Sequence, residues 1–184
     1  MKKIPTLFER DFDGNRQVID KVHPGCEWVQ AGEGVPTQKL DGTCCMIRDG
    51  VLYRRHEIKP GGEPPVGFEP CGGIDENTGK IQVWVAVGDG PQDKYHREAF
   101  DATLPDGTYE LLGPKIQGNS EGYGSHCLVR HGFIRIGLGV PTDFNGLREW
   151  LKMHNCMEGI VWHHPDGRMA KIKLRDFGIK RNGN

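Results

Sequence analysis

The chain has 184 residues, long enough for one domain that buries a continuous apolar core without disulfides or a structural metal. Its 24 Lys and Arg stand against 25 Asp and Glu, a net charge of -1. That balance excludes global attraction to nucleic acid or to an anionic membrane and confines any polyanion site to a local patch. Six cysteines (Cys26, Cys44, Cys45, Cys71, Cys127, Cys156) form no C-x-x-C pair, and no apolar N-terminal stretch reads as a signal peptide or membrane span. The expectation is an intracellular, cytoplasmic protein, monomeric, with reduced thiols and no zinc or membrane partner.

The 27 glycines and 12 prolines are spread along the chain, the pattern of many short strands separated by tight turns, and no internal repeat is visible. In "TCCMIRDGVLYRR" two apolar runs flank Asp49-Gly50, a strong hairpin signal. Adjacent Cys44 and Cys45 point to opposite faces of that strand as small buried side chains. The stretch 62–79, "GEPPVGFEPCGGIDENTG", is rich in turn formers and reads as a long surface loop. "KIQVWVAV" follows as a buried strand, "PQDKYHREAFDATL" as a short helix, and "DGTYELLGPKI" as a strand entered through a turn at Asp106-Gly107. "GSHCLVRHGF" is another strand. In "PTDFNGLREWLKMHN", Phe144, Leu147, Trp150, Leu151 and His154 recur at helical spacing, with Thr142 or Asp143 available as the cap; this helix packs on a sheet. The end, "CMEGIVWHHPDGRMAKIKLRDFG", is a hairpin turning at Pro165-Asp166-Gly167, with Ile160 and Trp162 on one face and Lys171 and Lys173 sharing a face. The class is α+β, mainly antiparallel sheets with a few helices, and residues 1–184 read as a single domain.

The chemistry concentrates around "TQKLDGTC", which places Lys39 two residues before an Asp-Gly pair. A free lysine, with a pKa of about 10.4, is overwhelmingly charged at neutral pH. An amine that acts as a nucleophile therefore needs nearby cations, a bound metal or partial desolvation to favour its neutral form. The chain supplies candidates for each. Lys171 and Lys173 alternate on one strand face and can point into one pocket, Glu110 and Glu158 on predicted strands offer oxygen ligands or sugar contacts, and Arg54 and Arg55 offer a planar fork for phosphate. Taken singly, each has a blander reading: Lys39 as a solvated lysine beside a bend, Lys171 and Lys173 as the solvated face of an edge strand, Glu158 as a turn residue. Consecutive His163 and His164 point apart and suit a structural or solvent role better than metal ligation, and Trp150 and Trp162 read as core.

In order along the chain, KLDG (Lys39 to Gly42), YELLG (Tyr109 to Gly113), EGIVW (Glu158 to Trp162) and AKIKL (Ala170 to Leu174) resemble the covalent nucleotidyltransferase superfamily of ATP-dependent ligases and mRNA-capping enzymes. The KLDGTC form, RRHE (Arg54 to Glu57) and ELLGPKIQGN (Glu110 to Asn119) are most similar to the 5′-to-3′ RNA ligase family, over residues 39–177. The resemblance implies a nucleotidyltransferase (ATP-grasp-like ligase) catalytic domain, and the short stretch after Phe177 gives the expectation that the OB-fold domain usual in DNA ligases and capping enzymes of the superfamily is absent. It further implies an ATP-dependent RNA ligase that seals 5′-phosphate and 3′-hydroxyl RNA ends through lysyl-AMP and an adenylylated RNA 5′ end. Lys39 would be the nucleophile and Glu158 the ligand of catalytic Mg2+, with Mn2+ as an alternative ion. Glu110 would bind the ribose hydroxyls, and Lys171 and Lys173 the α-phosphate. One of Arg54 and Arg55 would contact the nucleotide sugar or the RNA 5′-phosphate, the sequence not saying which. Adenine would be read near Thr37 and Gln38 and sandwiched by the strand from Cys127 to Arg130 and by Ile160. Cys44 stands where DNA ligases and capping enzymes of the superfamily commonly carry arginine, which favours RNA as the substrate. Lys171, Lys173, Arg175, Lys180 and Arg181 make the local basic patch. A DNA ligase, a GTP-using capping enzyme and a catalytically silent nucleotide- or RNA-binding module are the alternatives.

Overall fold

The computed structural model describes residues 3–75 and 78–182, which form two compact units. One comprises residues 4–40 and 132–182; the other comprises residue 3 and residues 41–131. The chain starts the first unit with β1 (Phe8–Arg10), β2 (Val18–Val22), the one-turn helix α1 (Glu27–Gln30) and β3 (Val35–Lys39). It builds the second from β4 (Thr43–Arg48), β5 (Val51–Ile58), β6 (Glu69–Ile74), β7 (Ile81–Ala86), α2 (Lys94–Ala99), β8 (Gly107–Leu112) and β9 (Cys127–Arg130). It then returns to the first unit with α3 (Phe144–Met153), β10 (Gly159–His163) and β11 (Met169–Lys173). Antiparallel sheets with few helices are the α+β class that the turn spacing predicts.

In the unit of residues 41–131, six strands form one sheet in the order β6-β7-β5-β4-β8-β9. Asp49 and Gly50 both take positive φ, 52° and 71°, the two-residue turn that matches the twist of β4 and β5. Alternation then sorts the side chains. Cys45, Ile47, Leu52, Tyr109, Leu111 and Leu128 pack with Ala99 on one face, while Cys44 packs with Cys71 and Trp84 on the other. The stretch expected as a surface loop is one only in part: Glu69–Ile74 is an edge strand whose register on β7 shifts between Pro70 and Ile74. Pro70 lacks an N–H, which an edge strand tolerates, so the turn-rich composition conceals a strand. Glu76 and Asn77, within the same expected loop, lie outside the described residues.

In the unit of residues 4–40 and 132–182, β10 is central to a sheet ordered β11-β10-β3. Leu147 and Leu151 of α3 are fully buried with Ile160, Trp162, Ala170 and Ile172, so the helix covers one sheet face as its spacing predicts. Asp143 is the cap: its carboxylate accepts from the Gly146 N–H at 2.8 Å. Phe8, Phe144 and Phe177 close this core edge-to-face, with centroids 5.2–6.4 Å apart. Both outer edges of the sheet are occupied. The Lys171 N–H donates to Pro5 O at 3.0 Å and the Leu7 N–H to Lys171 O at 2.8 Å. On the other side the Gln38 N–H donates to Ile134 O and the Ile136 N–H to Pro36 O, both at 2.9 Å. The lysines of β11 therefore do not guard an open strand edge.

Gly159 marks the tightest approach in this sheet, because a Cβ there would stand 2.1 Å from the Ile172 carbonyl oxygen and 2.8 Å from Lys173 Cα. Backbone cannot yield as a flexible side chain does. Gly159→Ala is expected to cost about 1–3 kcal/mol, whereas Gly73→Ala, with nothing within 4 Å of the added Cβ, stays within about 0.5 kcal/mol; urea denaturation midpoints of the two variants check this.

Candidate active site

β10 pairs with both neighbours through the same residue: Gly159 lies opposite Lys39 on one side and opposite Lys173 on the other. Paired residues share a face, so two lysine side chains flank a position that carries none. Glu158, which the sequence pattern put on a strand, sits one residue before β10 begins. There its carboxylate takes both amines. Lys39 Nζ is 2.5 Å from Oε2 and Lys173 Nζ is 2.5 Å from Oε1, with the three side chains only 13–21% exposed. Lys39 Nζ also donates to the Leu40 carbonyl at 3.4 Å.

Burial alone pushes the Glu158 carboxyl upward, but the ammoniums of Lys39 and Lys173 outweigh it and hold the group below its ordinary 4.5. Lys173 is shifted the other way from a paired lysine. Burial first, and then the like charge of Lys39, bring it below 10.5 against the opposing pull of Glu158. The end of β11 is pinned from behind: the Lys173 N–H donates to Asp176 Oδ2 at 2.9 Å, and the nearly inaccessible Asp176 pairs through Oδ1 with Arg10 at 2.5 Å. Asp176 was missed in the sequence, where nothing distinguishes an acid three residues after Lys173 from any turn residue.

Lys171 lies opposite Val161, one row along the same face as Lys173. Gln38 is not brought to the amines, since it pairs with Ile160 and so projects from the face opposite Lys39. Ile160 is fully buried beneath α3 and cannot flank a nucleobase; Val161, the next residue, is the branched side chain on the lysine-bearing face. Thr37 is on that face too, but its hydroxyl donates to the Val161 carbonyl at 3.0 Å.

The other unit carries a second polar group. Glu110 in β8 is 12% exposed; its Oε1 accepts the Gly42 N–H at 3.1 Å, and its Oε2 lies 2.7 Å from His131 Nε2. The Asp41 N–H donates to Glu121 Oε1 at 2.9 Å, and the Ser120 hydroxyl reaches Asp41 Oδ2 at 3.3 Å. The Asp-Gly pair after Lys39 is thus a tethered segment and not a solvated bend. Glycine is required there because a Cβ on residue 42 would meet Leu111 O at 2.2 Å and Glu110 Cγ at 2.8 Å.

The two arginines separate. Arg54, opposite Cys45, aims Nε at Asp93 Oδ1, 2.7 Å away, and Asp93 is 3% exposed. Arg55 has the opposite face, shared with Cys44 and Glu110, where burial pushes the Cys44 thiol up to about 11 against the pull of the guanidinium. Arg55 is therefore the member of the pair that shares a sheet face with Glu110, with Cys44 of β4 between them. His131, Glu121 and Asp93 had no sequence signal, since each acts through a partner many residues away.

The family model for RNA ligase 1 matches residues 76–183, a span that holds Glu110, Glu158, Lys171 and Lys173. Among curated proteins, RNA ligase 1 of Danio rerio is 37% identical over 86 residues, 43% of this chain and 26% of that protein. RNA ligase 1 of Pongo abelii is 35% identical over 219 aligned positions and that of Mus musculus 36% over 220, each taking in 79% of this chain and 67% of the relative. The chain spans between about a quarter and two thirds of the length of these relatives. With the family model covering more than half of its residues and two relatives aligned along most of it, the chain belongs to the RNA ligase 1 family.

Proposed function

We propose that the protein is an ATP-dependent RNA ligase that joins 5′-phosphate and 3′-hydroxyl ends through a covalent Lys39-AMP intermediate, within a nucleotidyltransferase catalytic domain. The observation that carries this reading is the convergence of Lys39 and Lys173 on the one carboxylate of Glu158, from three separate stretches of chain. In the first step Lys39 Nζ, having lost a proton and its bond to Glu158, attacks the α-phosphorus of ATP. A nitrogen–phosphorus bond forms as the α–β bridging bond breaks, and pyrophosphate leaves. Lys173 and Lys171 then face the phosphoryl oxygens, where their charge stabilises the transition state. An oxygen of an RNA 5′-phosphate next attacks the same phosphorus and releases Lys39. The RNA 3′-hydroxyl finally attacks the 5′-phosphorus and AMP departs.

Glu158 suits Mg2+, which binds through one or two carboxylates and keeps phosphate oxygens and waters in its other positions. Bound there, Mg2+ (or Mn2+) would neutralise phosphate charge. Glu110 accepts hydrogen bonds from the ribose hydroxyls, and Arg55 supplies the guanidinium for sugar or phosphate. Exposed Arg175 and Lys180 offer the backbone charge for RNA, whereas Arg181 is engaged with the Cys156 carbonyl at 2.8 Å. Among the described residues no helix is long and apolar enough to cross a membrane.

Incubation with ATP or GTP labelled at the α-phosphate, with Mg2+, is expected to leave label on the denatured protein from ATP only. Lys39→Ala should abolish the label, and Glu158→Ala or Lys173→Ala should cut it by about 100-fold or more; an unlabelled wild type sinks the reading. Because Lys39 acts only in the first two steps, Lys39→Ala should still seal RNA supplied with an adenylylated 5′ end, as gel analysis of the joined product would reveal. Stability should follow the shared carboxylate. Its folded pKa lies below the ordinary 4.5, so its contribution is complete above that value and is lost as pH falls through the folded value. Glu158→Gln should therefore destabilise by about 2–3 kcal/mol near neutral pH, less than a fully buried pair because exposure is partial. That gap should shrink as the pH is taken progressively below the ordinary 4.5, as urea unfolding at neutral pH and through the acid range would measure.

A further inference from the structure

His131 ends the unit of residues 41–131 and continues β9 alongside β8, its N–H donating to the Thr108 carbonyl at 3.0 Å. This register puts its ring on the same face as Glu110, which pairs with Val129 two residues earlier. A carboxylate only accepts, so the 2.7 Å contact places the hydrogen on His131 Nε2 and directs it at Glu110 Oε2. The other ring nitrogen, Nδ1, is buried and has no hydrogen-bond partner among the described residues. Among the described residues Glu110 is thus the single polar partner of the ring. The Gly42 N–H holds the opposite oxygen at 3.1 Å. Two donors on two oxygens fix the carboxylate in rotation and leave one lone-pair direction on each oxygen for an incoming diol.

We infer that His131 is a positioning residue that sets the sugar specificity of the site: it locks Glu110 in the orientation that accepts hydrogen bonds from ribose hydroxyls, so that ribonucleotides are selected over deoxyribonucleotides. The inference rests on the ribose-binding role proposed for Glu110. Calorimetric binding of ATP, 2′-deoxy-ATP and 3′-deoxy-ATP, run beside transfer of label from each α-labelled nucleotide, tests it. For the wild type, at least one deoxy analogue should bind roughly tenfold more weakly, the scale of a hydrogen bond to a charged acceptor. His131→Ala should shrink that ratio to about twofold, while His131→Gln, whose amide N–H can replace Nε2–H, should keep most of it. An unaltered ratio in His131→Ala, with all three nucleotides weakened equally, overturns the inference and leaves His131 a structural residue. A labelled wild type that treats ATP and both deoxy analogues alike overturns it without touching the ligase reading. A wild type that prefers ATP in binding yet takes up no label supports it while rejecting the ligase reading.

Discussion

A single carboxylate shared by two ammoniums organises the lysine-bearing face. Removing three charged groups from most of their water is unfavourable unless each finds a counter-charge, and Glu158 supplies one for Lys39 and Lys173 together. The arrangement depends on backbone register. β10 pairs Gly159 with both lysines, and the missing side chain at 159 allows the flanking strand to approach closely. The same alternation sends Ile160 and Trp162 to the other face, beneath α3. One hairpin therefore serves both a packed core and a charged surface, with alternate side chains assigned to each.

Phosphoryl chemistry suits such a cluster. A resting amine neutralised by a carboxylate stays partly buried without an uncompensated charge, and an arriving polyanion offers both ammoniums an alternative partner. The depressed Lys173 and the depressed Glu158 have opposite origins: burial with like-charge repulsion in one, and attraction to two cations overcoming burial in the other. The tethering of Asp41 and Gly42 to Glu121 and Glu110 adds a second constraint, holding the segment that follows Lys39 against β8 within its own unit.

Much of the fold was legible because its signals are local. Asp49-Gly50 carries the two positive φ values that its turn needs, the α3 stripe repeats at helical spacing, and the alternation in β10 and β11 already separates core from lysine face. What escaped reading lacked a local signal. β3 contains Pro36 and only five residues, and its strand character comes from pairing with β10 and with residues 134–136. β6 is hidden by Pro70, Gly72 and Gly73, which an edge position tolerates. The misplacement of Ile160 as a nucleobase wall has the same origin, since its neighbour Val161 has equal apolar character and only the position of α3 decides between them.

The sequence by itself determined which residue types are available for the chemistry and where along the strands they alternate, because turns, helix stripes and strand periods depend on neighbours within a few residues. It also carried the family, through short motifs whose order survives independent of coordinates. Tertiary structure decided which polar groups meet: Glu158 with Lys39 and Lys173, Arg54 with Asp93 in place of Arg55, and His131 with Glu110. Those meetings depend on strand register and on which face a helix covers, and both are set by the packing of segments far apart in the chain.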